Sequence, residues 1–330
     1  MHGVNRVSTL SNGNLANSAT IIQLKEKENT EMTKESIINE LVTAVQDRIG
    51  EGRKVGHREV KKNNGVVLDG ITIELPTPEG CGAVGLSVTF YINEFLPDLL
   101  AGDAYIYDVA DIIVKRDAEA DHDRMTGDLE GKPFTTPEFV LDNVHRCLIN
   151  TEKNKELLEN AFSKQFNDLS IVYRVFLGGG ASFLLTNNAV EAIGVAEDEI
   201  DARARANDKW FWTHDGMTSL LLQMVPQIPG FDASDIPLVD DVMIVASNRD
   251  KLYGAAVMTD GEYLSKIVRG DSYIFPSSVH ECIIVPTSQG DINDFRDMVH
   301  DVNRTAVEES DILSDNVYFF NAATKQVSIA

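Results

Sequence analysis

Behind Thr33, apolar residues fall at Ile37, Ile38, Leu41, Val42, Val45 and Ile49, the spacing of one helix face, and Gly50 ends the run. Thr33 is placed to cap that helix. The next stretch, "VKKNNGVVLDGITIEL", changes period from helical to alternating: Ile71, Ile73 and Leu75 interleave with Thr72 and Glu74. Asn64-Gly65 supplies the positive φ angles of a tight turn, so this reads as a β-hairpin. "SVTFYI" alternates as a further strand, with Asn93 placed to cap a short helix after it. Ile106, Val109, Ala110 and Ile113 mark another helix.

Periodicity stops across 117–136, "DAEADHDRMTGDLEGKPFTT", which reads as an acidic loop or linker. Thr136-Pro137-Glu138 then starts a helix, with Pro at its first position and an acid in its first turn. "SIVYRVFL" and "ASFLLT" read as a strand pair around Gly178-Gly179-Gly180. Helices follow near 187–193 and 196–207. "VMIVAS" and "LYGAAVM" read as a second strand pair, and a helix near 260–269 leads to "SYIF" and "HECIIVP". The helix at 290–302 is expected to bury Ile292, Phe295, Val299 and Val302 and to turn Asp294, Asp297 and Asp301 to water. "NVYFF" and "QVSI" are the last strands. Strands arriving in pairs predict an α+β protein with a mixed or largely antiparallel sheet and helices packed on it. The expected organisation is a disordered tail at 1–32, a helix-hairpin-helix portion at 33–116, the loop at 117–136, and a larger α+β domain at 137–330.

Composition narrows the class. The chain has 330 residues, 43% of them hydrophobic, enough for a substantial core. Cys81, Cys147 and Cys282 are odd in number and far apart, which fits a reducing compartment better than a disulfide framework. No apolar run approaches a membrane span, and the N-terminus lacks the apolar region of a secretory signal. The expected compartment is the cytoplasm. With 29 basic and 52 acidic residues the net charge is −23, which argues against direct nucleic-acid binding. Mimicry of a nucleic-acid backbone is the sharper reading of that acidity, and a solvated surface the plainer one.

Several patterns resemble chemistry. Gly178-Gly179-Gly180 lacks the spacing of a phosphate loop and lies between strands. Asp117, Glu119, Asp121, Asp123 and Asp128 imitate a calcium loop, but His122 stands where such loops need Gly. No metal or cofactor is expected. Trp210, Trp212 and His214 could line a small-ligand pocket or pack against the core. In "IFPSSVHECIIVP", Ser277, Ser278, His280, Glu281 and Cys282 cluster between two apolar runs. A Ser-His pair would also need a carboxylate on the far ring nitrogen and an oxyanion hole, and no GxSxG elbow precedes it. Pro276-Ser277-Ser278 is turn chemistry, with His280 as a hydrogen-bonding bridge to the next strand.

The segments "VKKNNGVVLDGITI", "TFYINEF", "DLSIVYRVFL", "NRDKLYGAAVM", "YIFPSSVHECIIVP" and "VNRTAVEESDILSDNVYFFN" resemble, in this order, the domain-of-unknown-function family numbered 5688, a group of bacterial proteins. The resemblance runs from about Thr33 to the C-terminus. It implies that the hairpin, the PSSVHE turn and Asn303-Arg304-Thr305 are family signatures, and it carries over no catalytic role. Two classes of function follow. One is a non-catalytic binding or regulatory protein of the bacterial cytoplasm, with carriage on mobile DNA as one setting and a protein or small molecule as partner. The other is a hydrolase whose site converges on Ser278, His280 and Asn303 or Arg304. A third idea is an acidic antagonist of a nucleic-acid-binding defence protein.

Overall fold

The computed structural model describes residues 33–76, 86–122, 134, 136–178, 181–224 and 242–330. The expected tail at 1–32, most of the 117–136 loop and Cys81 lie outside these residues. The chain divides into two compact units. Among the described residues, one draws on 33–58, 69–73 and 89–119, and the other on 59–68, 74–76, 86–88 and those from 120 onward.

In the first unit, helix α1 (Lys34–Ile49) begins where Thr33 Oγ accepts the Ser36 N–H at 3.1 Å. It ends at Gly50, whose φ of 82° few other residues adopt. Its Ile37, Ile38, Leu41 and Val45 pack with Ile106, Val109, Ala110 and Ile113 of α3 (Ile106–Glu119). Between them come α2 (Leu96–Ala101) and the sheet β1 (Val55–Lys61), β2 (Val67–Leu75) and β3 (Leu86–Tyr91), in that order. At the hairpin tip, which counts with the second unit, Asn64 and Gly65 take φ of 61° and 72°, as the turn requires. Two expectations are corrected. Asn93 does not cap α2; its side chain accepts the Asp69 N–H at 2.8 Å. Asp117 does not open the loop but is a buried residue of α3, held bidentately by Arg53 at 2.6 and 3.0 Å. The helical period therefore runs past the point where its apolar members stop.

In the second unit, Thr136 caps α4 (Pro137–Asn143) as the sequence indicates. The chain then passes without a loop into β4 (Val144–Asn150), a strand hidden in the sequence by that direct join. After α5 (Lys155–Leu158), strand β6 (Leu169–Gly178) pairs with β4 on one side. On its other side it pairs with β5 (Ser163–Phe166) and β7 (Ala181–Leu184). Helices α6 (Asn187–Ile193) and α7 (Glu197–Asp208) follow. A second sheet has the order β13-β12-β10-β11-β9-β8, antiparallel throughout. Its strands are β8 (Trp212–Gly216), β9 (Ile244–Asn248), β10 (Ser272–Phe275), β11 (Cys282–Pro286), β12 (Tyr318–Asn321) and β13 (Gln326–Ile329). The helices α8 (Met217–Met224), α9 (Gly261–Ile267) and α10 (Ile292–Thr305) complete the unit. The fold is α+β.

The alternation of β6 divides its surroundings. Leu169, Ile171, Tyr173 and Val175 join the main core with Ile274, Ile284, Tyr318 and Phe320 of the larger sheet. Val172 and Phe176 point the other way, into a smaller cluster with Cys147 and Ile149. "LYGAAVM" is not a strand. Gly254–Thr259 form a 3-10 turn whose residues Gly254 to Met258 are all buried, so small size rather than alternation governs the segment. On α10, Val299 is buried and Ile292 and Phe295 are half-buried, but Val302 is exposed and Asn303 takes the inward place.

Candidate functional site

Strands β10 and β11 pair from Ser272 with Pro286 to Phe275 with Ile283, leaving 276–281 as their turn. Within it Ser278 Oγ accepts the His280 N–H at 3.0 Å, and the Ser278 N–H donates to the Glu281 carbonyl at 3.3 Å. Strand geometry begins only at Cys282, so His280 and Glu281, which the sequence reading places at the start of the "HECIIVP" strand, are turn residues. Val279 is buried, donating to the Asp311 carbonyl at 2.8 Å and accepting from the Ala255 N–H at 3.2 Å.

His280 ties the turn to its neighbours. Its Nδ1 accepts the Tyr253 N–H at 3.2 Å, which places the ring proton of the neutral imidazole on Nε2, and Nε2 faces Asp311 Oδ1 at 3.6 Å. Its carbonyl accepts from Ser247 Oγ at 2.7 Å. Both ring nitrogens thus face groups other than Ser277 and Ser278. A carboxylate does stand at the far nitrogen, yet the near one is taken by a backbone amide.

The loop that meets this turn is unusual in its backbone. Lys251 and Tyr253 hold φ of 50° and 56°, in the left-handed region that bulky residues avoid. Asn248 braces the loop, its side chain donating to the Leu252 carbonyl and accepting the Leu252 N–H. Gly254 must be small, because a Cβ there would lie 2.6 Å from both Asn248 N and the His280 carbonyl oxygen. The Tyr253 ring lies 4.8 Å from the Arg174 guanidinium carbon and 5.8 Å from the His280 ring centroid.

Asp311 is placed from far along the chain. Asn64 Nδ2 donates to the carbonyls of Glu309 and Ile312, each at 2.7 Å, and Asn63 Nδ2 to Ser310 at 2.8 Å. Asn154 exchanges hydrogen bonds with Asn64, and Asn150 donates to the Leu313 carbonyl at 3.1 Å. The hairpin tip is therefore more than a turn: its amides fix the 309–312 segment that faces His280.

A second cluster escaped the sequence reading. His145 Nδ1 donates to Asp208 Oδ1 at 2.9 Å, and Arg146 Nε to Asp208 Oδ2 at 2.6 Å. Asp208 and Arg146 are essentially inaccessible, and Arg146 Nη1 has no partner among the described residues. The His145 ring packs on Phe211 at 4.3 Å and Phe176 at 5.1 Å. Directly across the sheet from His145 stands Arg174, whose Nε donates to Ser182 Oγ at 2.9 Å. Burial pushes the Cys147 thiol far above its usual range, with Arg174 and Asp208 acting on it in opposite senses. The available signal was a His-Arg pair inside the apolar run "VHRCLIN", where a strand must give each charge a partner.

The other candidates do not converge. Trp210 is exposed, Trp212 is buried in β8 with Nε1 unpartnered among the described residues, and the exposed His214 contacts the Tyr263 hydroxyl at 2.9 Å. Asn303 is buried and donates to the Ser314 carbonyl and Asp315, while Arg304 is exposed and paired with Asp301 at 2.7 Å. Asn303, Arg304, His300, Lys153 and Asp315 line an open groove of about 510 Å³ with mixed charge. Among the described residues no three His, Cys, Asp or Glu side chains gather as a metal site, and no helix is long and apolar enough to cross a membrane.

Searches of curated proteins and of solved structures return no match. A family profile covers residues 34–322, nearly the whole chain, and on that ground the protein belongs to the family of unknown function DUF5688.

Proposed function

We propose that the protein is a non-catalytic binding protein of the bacterial cytoplasm, and that it recognises its partner through the face built by the 248–254 loop and the 276–281 turn. The observation that carries this is the backbone of Lys251 and Tyr253. Left-handed φ at a non-glycine residue costs about 1–3 kcal/mol and persists only where the surroundings enforce it. Here two such residues lie in one short loop, and the result is a fixed Tyr253 ring between Arg174 and His280. A loop serving packing alone would accept Gly or Asn at both positions. The commitment of His280 Nδ1 to the Tyr253 N–H favours binding over acyl transfer at Ser278.

The test is Tyr253→Asn, which removes the ring while tolerating the left-handed backbone. The expected outcome is a melting temperature close to that of the parent, with loss of whatever partner the parent retains in affinity capture from its bacterial host. Equal retention by the variant overturns the assignment of this face, and hydrolysis of ester probes abolished by Ser278→Ala overturns the non-catalytic reading.

A further inference from the structure

The imidazole of His145 is oriented and half-used. Its Nδ1 is committed to Asp208, so in the neutral ring Nε2 carries the lone pair. Among the described residues Nε2 has no hydrogen-bond partner, and it is not one of the buried unsatisfied atoms, so it reaches solvent. The ring itself is 13% exposed and clamped between Phe211 and Phe176. Arg174, directly opposite on β6, brings its Cβ to roughly 5 Å from that of His145, the ordinary cross-strand spacing. Its guanidinium is held by Ser182 through Nε and one terminal nitrogen and lies against Tyr253, while Nη1 has no partner among the described residues. Arg146 is spent on Asp208 in a buried pair, so Arg174 is the cation left beside His145, in a chain of net charge −23. Screening over about 8–10 Å lets that local sign prevail over the distant acids.

From this pairing we infer a binding subsite for a phosphoryl group, with His145 Nε2 and Arg174 as its two recognition groups. It takes up the binding reading above and gives a chemistry to one end of the same face. A phosphoryl group is singled out because it suits His145 in either protonation state. A monoanion donates its P–OH to the neutral Nε2 while its oxygens accept from Arg174, and a dianion accepts from both an imidazolium and the guanidinium. A carboxylate has no proton to offer a neutral Nε2. The rings of Phe211 and Tyr253 at the margin give an organic ester a surface to cover.

The experiment follows the His145 imidazole by long-range proton–nitrogen correlation in the full chain, during titration with inorganic phosphate, phenyl phosphate and, at matched ionic strength, acetate. The expected result is a saturable shift at His145 with the phosphates and none beyond ionic strength with acetate. Half-saturation is expected at about 1 mM. Tighter binding of phenyl phosphate assigns the site to a phosphate ester, and equal binding assigns it to free phosphate. Arg174→Gln should weaken either about tenfold, the loss of one charge-assisted contact. Ser182→Ala, which removes the hydroxyl that orients Arg174 Nε but keeps the Ser182 carbonyl contact, should weaken them less and keeps the test open if Arg174→Gln does not fold. His145 responding to phosphate no more than to acetate overturns the proposal, as does unchanged affinity in both variants. The titration is independent of Tyr253→Asn, so failure of the subsite and failure of the wider binding face are separate results.

Discussion

Each unit of the protein contains a buried aspartate shared by a histidine and a cation. In the first, Asp69 accepts from His57 Nε2 at 3.0 Å and Lys34 Nζ at 2.7 Å. In the second, Asp208 accepts from His145 and Arg146. The parts match, but their surroundings do not. Lys34 is 48% exposed and His57 28%, whereas Arg146 is 1% exposed. If Asp69 is lost, water reaches Lys34 at once; if Asp208 is lost, a guanidinium is stranded in the interior. The same three groups make a replaceable surface tether in one place and an irreplaceable interior pair in the other. The clusters also present different ring nitrogens, since His57 spends Nε2 on its aspartate and His145 spends Nδ1.

Removing each aspartate measures that difference. Asp208→Ala should destabilise the second unit by about 3–5 kcal/mol in urea denaturation, because Arg146 is left buried and unpaired. A loss below about 1 kcal/mol would place Arg146 in contact with water and erase the contrast. Gly254→Ala comes next, at about 1–3 kcal/mol, since its Cβ meets backbone at 2.6 Å that cannot swing aside. His280→Ala should cost about 1–2 kcal/mol by leaving the Tyr253 N–H without its acceptor. Ser278→Ala should be milder than that, and Glu281→Gln nearly neutral. A fully stable His280→Ala protein would mean that the turn does not depend on the imidazole.

Asp69→Asn should cost only about 1 kcal/mol after allowance for the exposure of Lys34, and it has a pH signature. Burial by itself raises the Asp69 pKa, but the hydrogen bonds from Lys34 and His57 outweigh it, so the carboxyl titrates below its ordinary 3.8. A carboxyl depressed in the folded state stabilises above its unfolded pKa and loses that contribution as pH falls through the folded value. The parent should therefore exceed Asp69→Asn in stability above about pH 4, with the gap closing below it. A gap that persists at pH 2 would contradict the assignment.

The parts legible in the sequence are those where one face is apolar and the ends are marked. Thr33, Gly50, the Asn64-Gly65 turn and the alternation of β2 all declare themselves. Strand β4 does not, because it follows α4 without a loop, and Gly254–Thr259 misleads because a run of small buried residues has no period. The 276–281 turn was readable from Pro276 and its serines. Its meeting with Tyr253 was not, since nothing local in "DKLYG" announces a left-handed tyrosine. The His145 cluster was half-readable: the strand shows two cations in need of a partner, but Asp208 and Arg174 come from other elements.

The asparagine contacts of the hairpin tip bear on the timing of assembly. Asn64 finds its acceptors at Glu309 and Ile312, 245 and 248 residues further along the chain. During synthesis those acceptors do not exist until some 245 further residues have been made, and closing so long a loop is entropically costly and slow. At about 5–20 residues per second, the tip waits at least ten seconds or so on the ribosome before its amides can pair. Helix α1 and its partners need nothing beyond Glu119, and can consolidate early in that interval. The second unit, and with it the placement of Asp311 opposite His280, is completed only once residues 309–312 have emerged.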